Sequence, residues 1–198
     1  MAIVKVPTNR QLEKHFEPYA IELGKLTYAW NRLHEQMARL FWTVSGVKNG
    51  AVPFAIWYST SSDRAQRAML RAATKASDWI SHDNKAIICR DIEWALARAD
   101  ALADKRNDAL HSPYVVSVSA GGAKVMAADF SGHPRAMKLV GKDLLQEFRW
   151  YRDSAESLAA FISAIDTHLS FPTMMPDWPE RPKMPKLGDP KAKGRMRS

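Results

Sequence analysis

Cysteine is nearly absent, Cys89 being the only one in 198 residues, which excludes an internal disulfide framework and fits a chain kept in a reducing compartment. Long apolar runs are missing too. The opening Met1-Ala2-Ile3-Val4-Lys5-Val6-Pro7 meets charge too soon for a secretory signal, and no stretch approaches a membrane span. A soluble, cytoplasmic protein with no membrane partner is therefore expected. Ligand spacing is also lacking. His34 stands beside Glu35 without the second histidine of a zinc-protease helix, so neither a metal nor a cofactor is expected. No internal repeat is evident.

What is present suffices for one substantial core: 46% hydrophobic residues, including seven tryptophans, predict one domain over residues 1–170. After Phe171 the composition changes. Six of the 11 prolines lie there, with seven Lys and Arg against three Asp and Glu, half of the net charge of +8. Residues 171–198 read as a disordered, polyproline-like basic tail that adds salt-sensitive attraction to nucleic acid.

Apolar periodicity predicts four long helices. Pro7 and Thr8 open a short helix over Asn9–Glu17, and Pro18 opens the next. From Tyr19 to Val44, residues Leu23, Leu26, Trp30, Leu33, Met37, Leu40 and Val44 alternate in steps of three and four, the seam of a bundle helix. Asn31, His34 and Glu35 are its polar residues most able to face a cleft. Between Val47 and Ser62 a loop carries Phe54, Ile56, Trp57 and Tyr58, an apolar plug for one bundle end. The second helix starts at Ser61 or Ser62 and ends near Ser81, with Ala65, Met69, Ala72, Ala76 and Trp79 or Ile80 expected inward. Its opposite face carries Arg64, Arg67, Arg71 and Lys75, a basic stripe suited to a phosphate backbone.

A third helix begins near His82-Asp83-Asn84 and runs about 25 residues, nearly 40 Å at the usual rise. Tyr114–Ser119 and Lys124–Ala127, β-branched residues on either side of Gly121-Gly122, read as a hairpin. Asp129–Arg135 is expected as a loop. A last helix over Gly141–Leu169 keeps the seam Leu144, Phe148, Tyr151, Ala155, Leu158, Ile162, Ile165 and Leu169. The expected fold is all-α: a four-helix, up-and-down-type bundle with a small β-hairpin insertion.

The chemistry concentrates at the end of the third helix, in Lys105-Arg106-Asn107-Asp108-Ala109-Leu110-His111-Ser112-Pro113-Tyr114. Its seam runs Ile88, Ile92, Ala95, Ala99, Leu102, and the next position is Arg106, a guanidinium where a core residue is due. Pro113 disfavours the α conformation at Ser112, so the helix is expected to end near His111, leaving the imidazole at its negative end. Arginine offers a planar fork of donors suited to phosphate oxygens, and histidine exchanges protons near neutral pH. Together they suit RNA phosphodiester cleavage without a metal, the imidazole handling a proton and the cation the charge on phosphorus.

Arginine, a polar residue, three residues and histidine, following a long helix, resembles the motif of the HEPN superfamily, many of whose members are metal-independent ribonucleases. The resemblance covers the motif and the helical arrangement of roughly residues 19 to 169. It implies a homodimer that brings two copies of the motif into one cleft, with Arg106, His111 and Asn107 as catalytic residues. Asp108, Tyr114, Arg64, Arg67 and Arg71 are the expected substrate-binding residues. Some toxin-type members carry a tyrosine two residues after the histidine, whereas Tyr114 comes three after. The expected function is RNA endonuclease, in a toxin or antiviral setting with a protein antitoxin or regulator as partner. The alternative is a non-catalytic helical dimer that binds nucleotide, RNA or a protein through the same rim.

Overall fold

The computed structural model describes residues 8–78, 82–119, 122–128, 132–173 and 177–187. It is mostly helical, in the order α1 (Asn9–Ser45), α2 (Ala51–Ser59), α3 (Asp63–Ala76), α4 (His82–His111), β1 (Tyr114–Ser119), β2 (Gly122–Ala127), α5 (Pro134–Met137) and α6 (Leu144–Ser170). The two strands pair antiparallel, with Tyr114 opposite Ala127 and Val116 opposite Val125. The hairpin thus forms where β-branched residues flank the paired glycines; Ala120 and Gly121 lie outside the described residues.

Helix α1 corrects the expectation of two helices broken at Pro18. It is continuous for 37 residues with Pro18 inside it. Thr8 and Gln11 start it reciprocally, Thr8 N–H donating to Gln11 Oε1 at 2.9 Å and Gln11 N–H to Thr8 Oγ1 at 3.4 Å, which satisfies two of the helix's orphan donors. A proline removes one helical hydrogen bond; Pro18 is exposed, where water can take the freed carbonyl. The expected loop after Val47 also contains a helix, α2, apolar on every side. Pro53 and Trp57 are buried while Val52, Ile56 and Tyr58 are exposed.

Contacts divide the chain into two compact units. The first takes the described residues within Met1–Thr27, Asp104–Arg152 and Lys186–Ser198; the second takes those within Tyr28–Ala103 and Asp153–Pro185. In the first, Leu26, Ala109, Val125, Leu139, Leu144, Phe148 and Tyr151 are buried, and Tyr114 lies 6.2 Å from Phe16 and 6.0 Å from Phe148, ring centre to ring centre. In the second, Trp30, Leu33, Met37 and Leu40 of α1 are buried, as are Trp57, Leu70, Ile92, Leu96, Leu158 and Ile162. The seams read from the sequence on α1, α4 and α6 are buried apart from Leu23 and Leu169, which are half-buried.

Two further expectations are corrected in the second unit. Helix α3 buries Gln66, Arg67, Leu70 and Thr74 and exposes Ala65 and Ala72, so its inner face is not the alanine seam. Exposed alanine costs little, while a buried arginine is stable when paired. The basic tail is not free from residue 171 onward either. Trp178 Nε1–H donates to Asp91 Oδ2 at 2.7 Å and Arg181 Nε–H to Asp91 Oδ1 at 2.8 Å, with Arg181 5.4 Å above the Trp94 ring. Residues 188–198 lie outside the described residues.

Candidate functional site

Helix α4 carries its apolar face up to Leu102 and ends at His111, where the sequence places the stop. The end is built from side chains. Ser112 Oγ–H donates to the carbonyl of Asp108 and Tyr114 Oη–H to that of Ala109, both at 2.6 Å, so two of the terminal carbonyls are satisfied within the first unit. The hairpin is tied to the same corner by Ala128 N–H donating to Pro113 O at 2.9 Å.

Arg106 and Asn107 are both half-buried and meet directly, Arg106 Nη1 donating to Asn107 Oδ1 at 2.9 Å. That bond orients the guanidinium plane. His111, one helical turn beyond Asn107, is exposed. A held arginine and a water-accessible imidazole on the last turns of one helix are the parts a phosphodiester-cleaving pair needs.

The neighbours of this pair are engaged inside the unit. Asp108 is 6% exposed and accepts from Lys138 Nζ at 3.1 and 3.3 Å and from Arg135 Nη1 at 3.5 Å. Tyr114 spends its hydroxyl on Ala109, and burial, with the nearby Asp108 charge, holds its phenol well above the usual tyrosine range. It is a structural donor at neutral pH. Asp108 and Tyr114, expected at the substrate, thus have their polar atoms engaged within the unit. Tyr151 donates to Glu147, which Lys142 Nζ approaches at 3.5 Å; burial first, and Glu147 second, raise the Tyr151 phenol as well.

The arginines of α3 belong to the second unit. Arg64 is exposed. Arg67, expected on the outward face, is 3% exposed and donates from Nε to Asp100 Oδ1 at 2.7 Å. Arg71 donates to Glu93 at 2.7 Å and to Asp100 at 3.2 Å. Beside Arg67, His34 places Nδ1 3.1 Å from Gln66 Oε1 and Nε2 3.4 Å from Arg67 Nη1. Gln66 Nε2 donates to the carbonyls of Trp57 and Thr60, so Oε1 is the atom facing His34, and neutral His34 carries its proton on Nδ1 with Nε2 accepting from Arg67. Of the three polar residues singled out on α1, His34 is thus in this network, whereas Asn31 and Glu35 are exposed, with Glu35 paired to Arg39 at 3.0 Å.

Sequence reasoning missed Arg135 and Lys138 at the motif, although basic residues at 135, 138 and 142 keep helical spacing. Among the described residues, no three His, Cys, Asp or Glu side chains gather as a metal site requires, and no described helix is long and apolar enough to cross a membrane. No protein-family model, no curated protein and no solved structure matches this chain.

Proposed function

We propose that this chain is a HEPN-like, metal-independent RNA endonuclease, a four-helix up-and-down-type bundle working as a cytoplasmic homodimer. The observation that carries the reading is the end of α4, where Arg106 is oriented by Asn107 at 2.9 Å and His111 stands exposed on the last turn. In the reaction the RNA 2′-oxygen bonds to phosphorus as its proton passes to the His111 imidazole. Arg106 holds the non-bridging oxygens whose negative charge grows. The bond from phosphorus to the 5′-oxygen breaks, that oxygen takes a proton from water, and the hydroxide left behind takes the proton back from the His111 imidazolium. The products are a 2′,3′-cyclic phosphate and a 5′-hydroxyl. A toxin or antiviral setting, with an antitoxin or regulator as partner, follows from the family resemblance.

The test is incubation of mixed cellular RNA with pure protein in EDTA, comparing wild type with His111→Ala and Arg106→Ala after thermal unfolding shows that all three fold. Wild-type cleavage is expected to survive EDTA and to fall at least a hundredfold in each variant, consistent with loss of a proton-transfer or charge-stabilising group. RNA left equally intact by all three makes the chain a binding module for nucleotide, RNA or protein at the same rim.

A further inference from the structure

We infer that Arg135, Lys138 and Lys142 form a second phosphate-binding surface of the motif site, gripping an unpaired RNA strand beside the scissile bond; the ligand class rests on the nuclease reading. The three cations are spaced by three and four residues over the segment that includes α5. Each is rooted on a buried carboxylate. Arg135 and Lys138 stand on Asp108, and Lys142 stands on Glu147. The carboxylate side chains are 9% and 4% exposed, whereas those of the cations are 42%, 61% and 43% exposed in sequence order. A root of this kind fixes the head group from below and leaves its outer donors to solvent. Three cations stand over these two carboxylates, and the exposed Asp143 after Lys142 holds the Gln146 N–H.

Stability does not account for the arrangement. Exposed ion pairs contribute little, and a buried carboxylate costs desolvation that such pairs barely offset. Preorganisation does account for it, because a cation already held in place loses less freedom when it meets a phosphate. Position assigns the surface to the motif: Asp108 directly follows Asn107 and lies one turn before His111. Met137 and Val140, interleaved with the cations, are 53% and 39% exposed. Apolar side chains between cations suit bases turned outward from a single strand, which a duplex keeps inside.

The decisive measurement is binding of a single-stranded oligoribonucleotide made uncleavable by 2′-O-methyl groups, followed by anisotropy in EDTA across a salt series. Wild type is compared with Arg135→Gln, Lys138→Gln and Lys142→Gln combined with Asp108→Asn and Glu147→Gln, so that no buried charge loses its partner. The neutralised variant is expected to bind at least tenfold more weakly. Its slope of log affinity against log salt should be shallower by about two, since each single-strand phosphate contact contributes about 0.7. Lys138→Arg with Lys142→Arg should keep the wild-type slope, and a duplex of the same sequence should bind wild type less tightly. If the five-fold variant does not fold, Lys138→Gln with Asp108→Asn carries the test with a slope change of about 0.7.

Unchanged affinity and slope in the neutralised variant, no binding by wild type, or equal binding of duplex overturns the proposal. Cleavage of ordinary RNA is scored separately. Cleavage by wild type with unchanged analogue binding in the variant removes the surface and keeps the nuclease; analogue binding through the surface without cleavage keeps the surface and removes the nuclease.

Discussion

The Tyr151 hydroxyl donates to Glu147, a buried carboxylate whose other close partner is Lys142. Tyr151→Phe keeps the ring's volume and removes that donor, so it is expected to lower stability by about 1–3 kcal/mol, read as an earlier urea midpoint at unchanged slope. Glu147→Gln in the same background should recover part of the loss, since the charge that needed the donor is gone. Arg106, Asn107 and His111 were legible as residue types and as a spacing, because short-range pattern is what a sequence displays. The engagement of Asp108 and Tyr114 was not legible. Lys138 lies 30 positions from Asp108, and Tyr114 reaches back to a main-chain carbonyl that no pattern marks. Arg67 misled for a related reason: periodicity put it outside, whereas Asp100, His34 and the Trp30 ring meet its guanidinium and allow it to be buried.

Elements add effects that no single side chain carries. The segment around Trp178 and Arg181 is fastened to α4 through Asp91. Burial pushes the Asp91 carboxyl upward, but donors from Trp178, Arg181 and Arg90 outweigh it and hold the group below the ordinary carboxylate value of 3.8. The unfolded chain therefore takes up this proton first as pH falls. The stabilisation is complete above the ordinary value and is lost as pH drops through the lowered native one. Asp91→Asn should flatten that part of the curve, so between pH 6 and 2.5 the urea midpoint of the variant should fall less steeply than that of wild type. In α1, Pro18→Ala restores a donor at an exposed interior position. A thermal midpoint several degrees higher is expected, from roughly 3 kcal/mol of helix preference reduced by the freer unfolded chain. The seams of α1, α4 and α6 were readable because their buried residues are large and periodic. The continuity of α1 was not, since proline marks a helix start in most sequences and a tolerated interior position only when it faces water. Helix α2 was hidden for a different reason: being apolar on all sides, it offers no periodicity to read.

Across the whole molecule, α1, α4 and α6 each contribute residues to both compact units, which explains why apolar seams revealed the fold class and not how the helices are grouped. The proposed two-copy cleft requires self-association. Sedimentation at the concentration of the cleavage assay should give twice the chain mass, and a fully active monomer would rule out a shared cleft. The rooted cations also bear on how the molecule is made. Asp108 precedes the residues it holds, whereas Glu147 follows Lys142. During synthesis from the N-terminus, Arg135 and Lys138 have their root before they exist, but Lys142 waits for the first turn of α6. A nascent chain halted between these points carries residues 106–111 with Lys142 still lacking its carboxylate, so the last part of the proposed surface to be assembled is set by the order of translation.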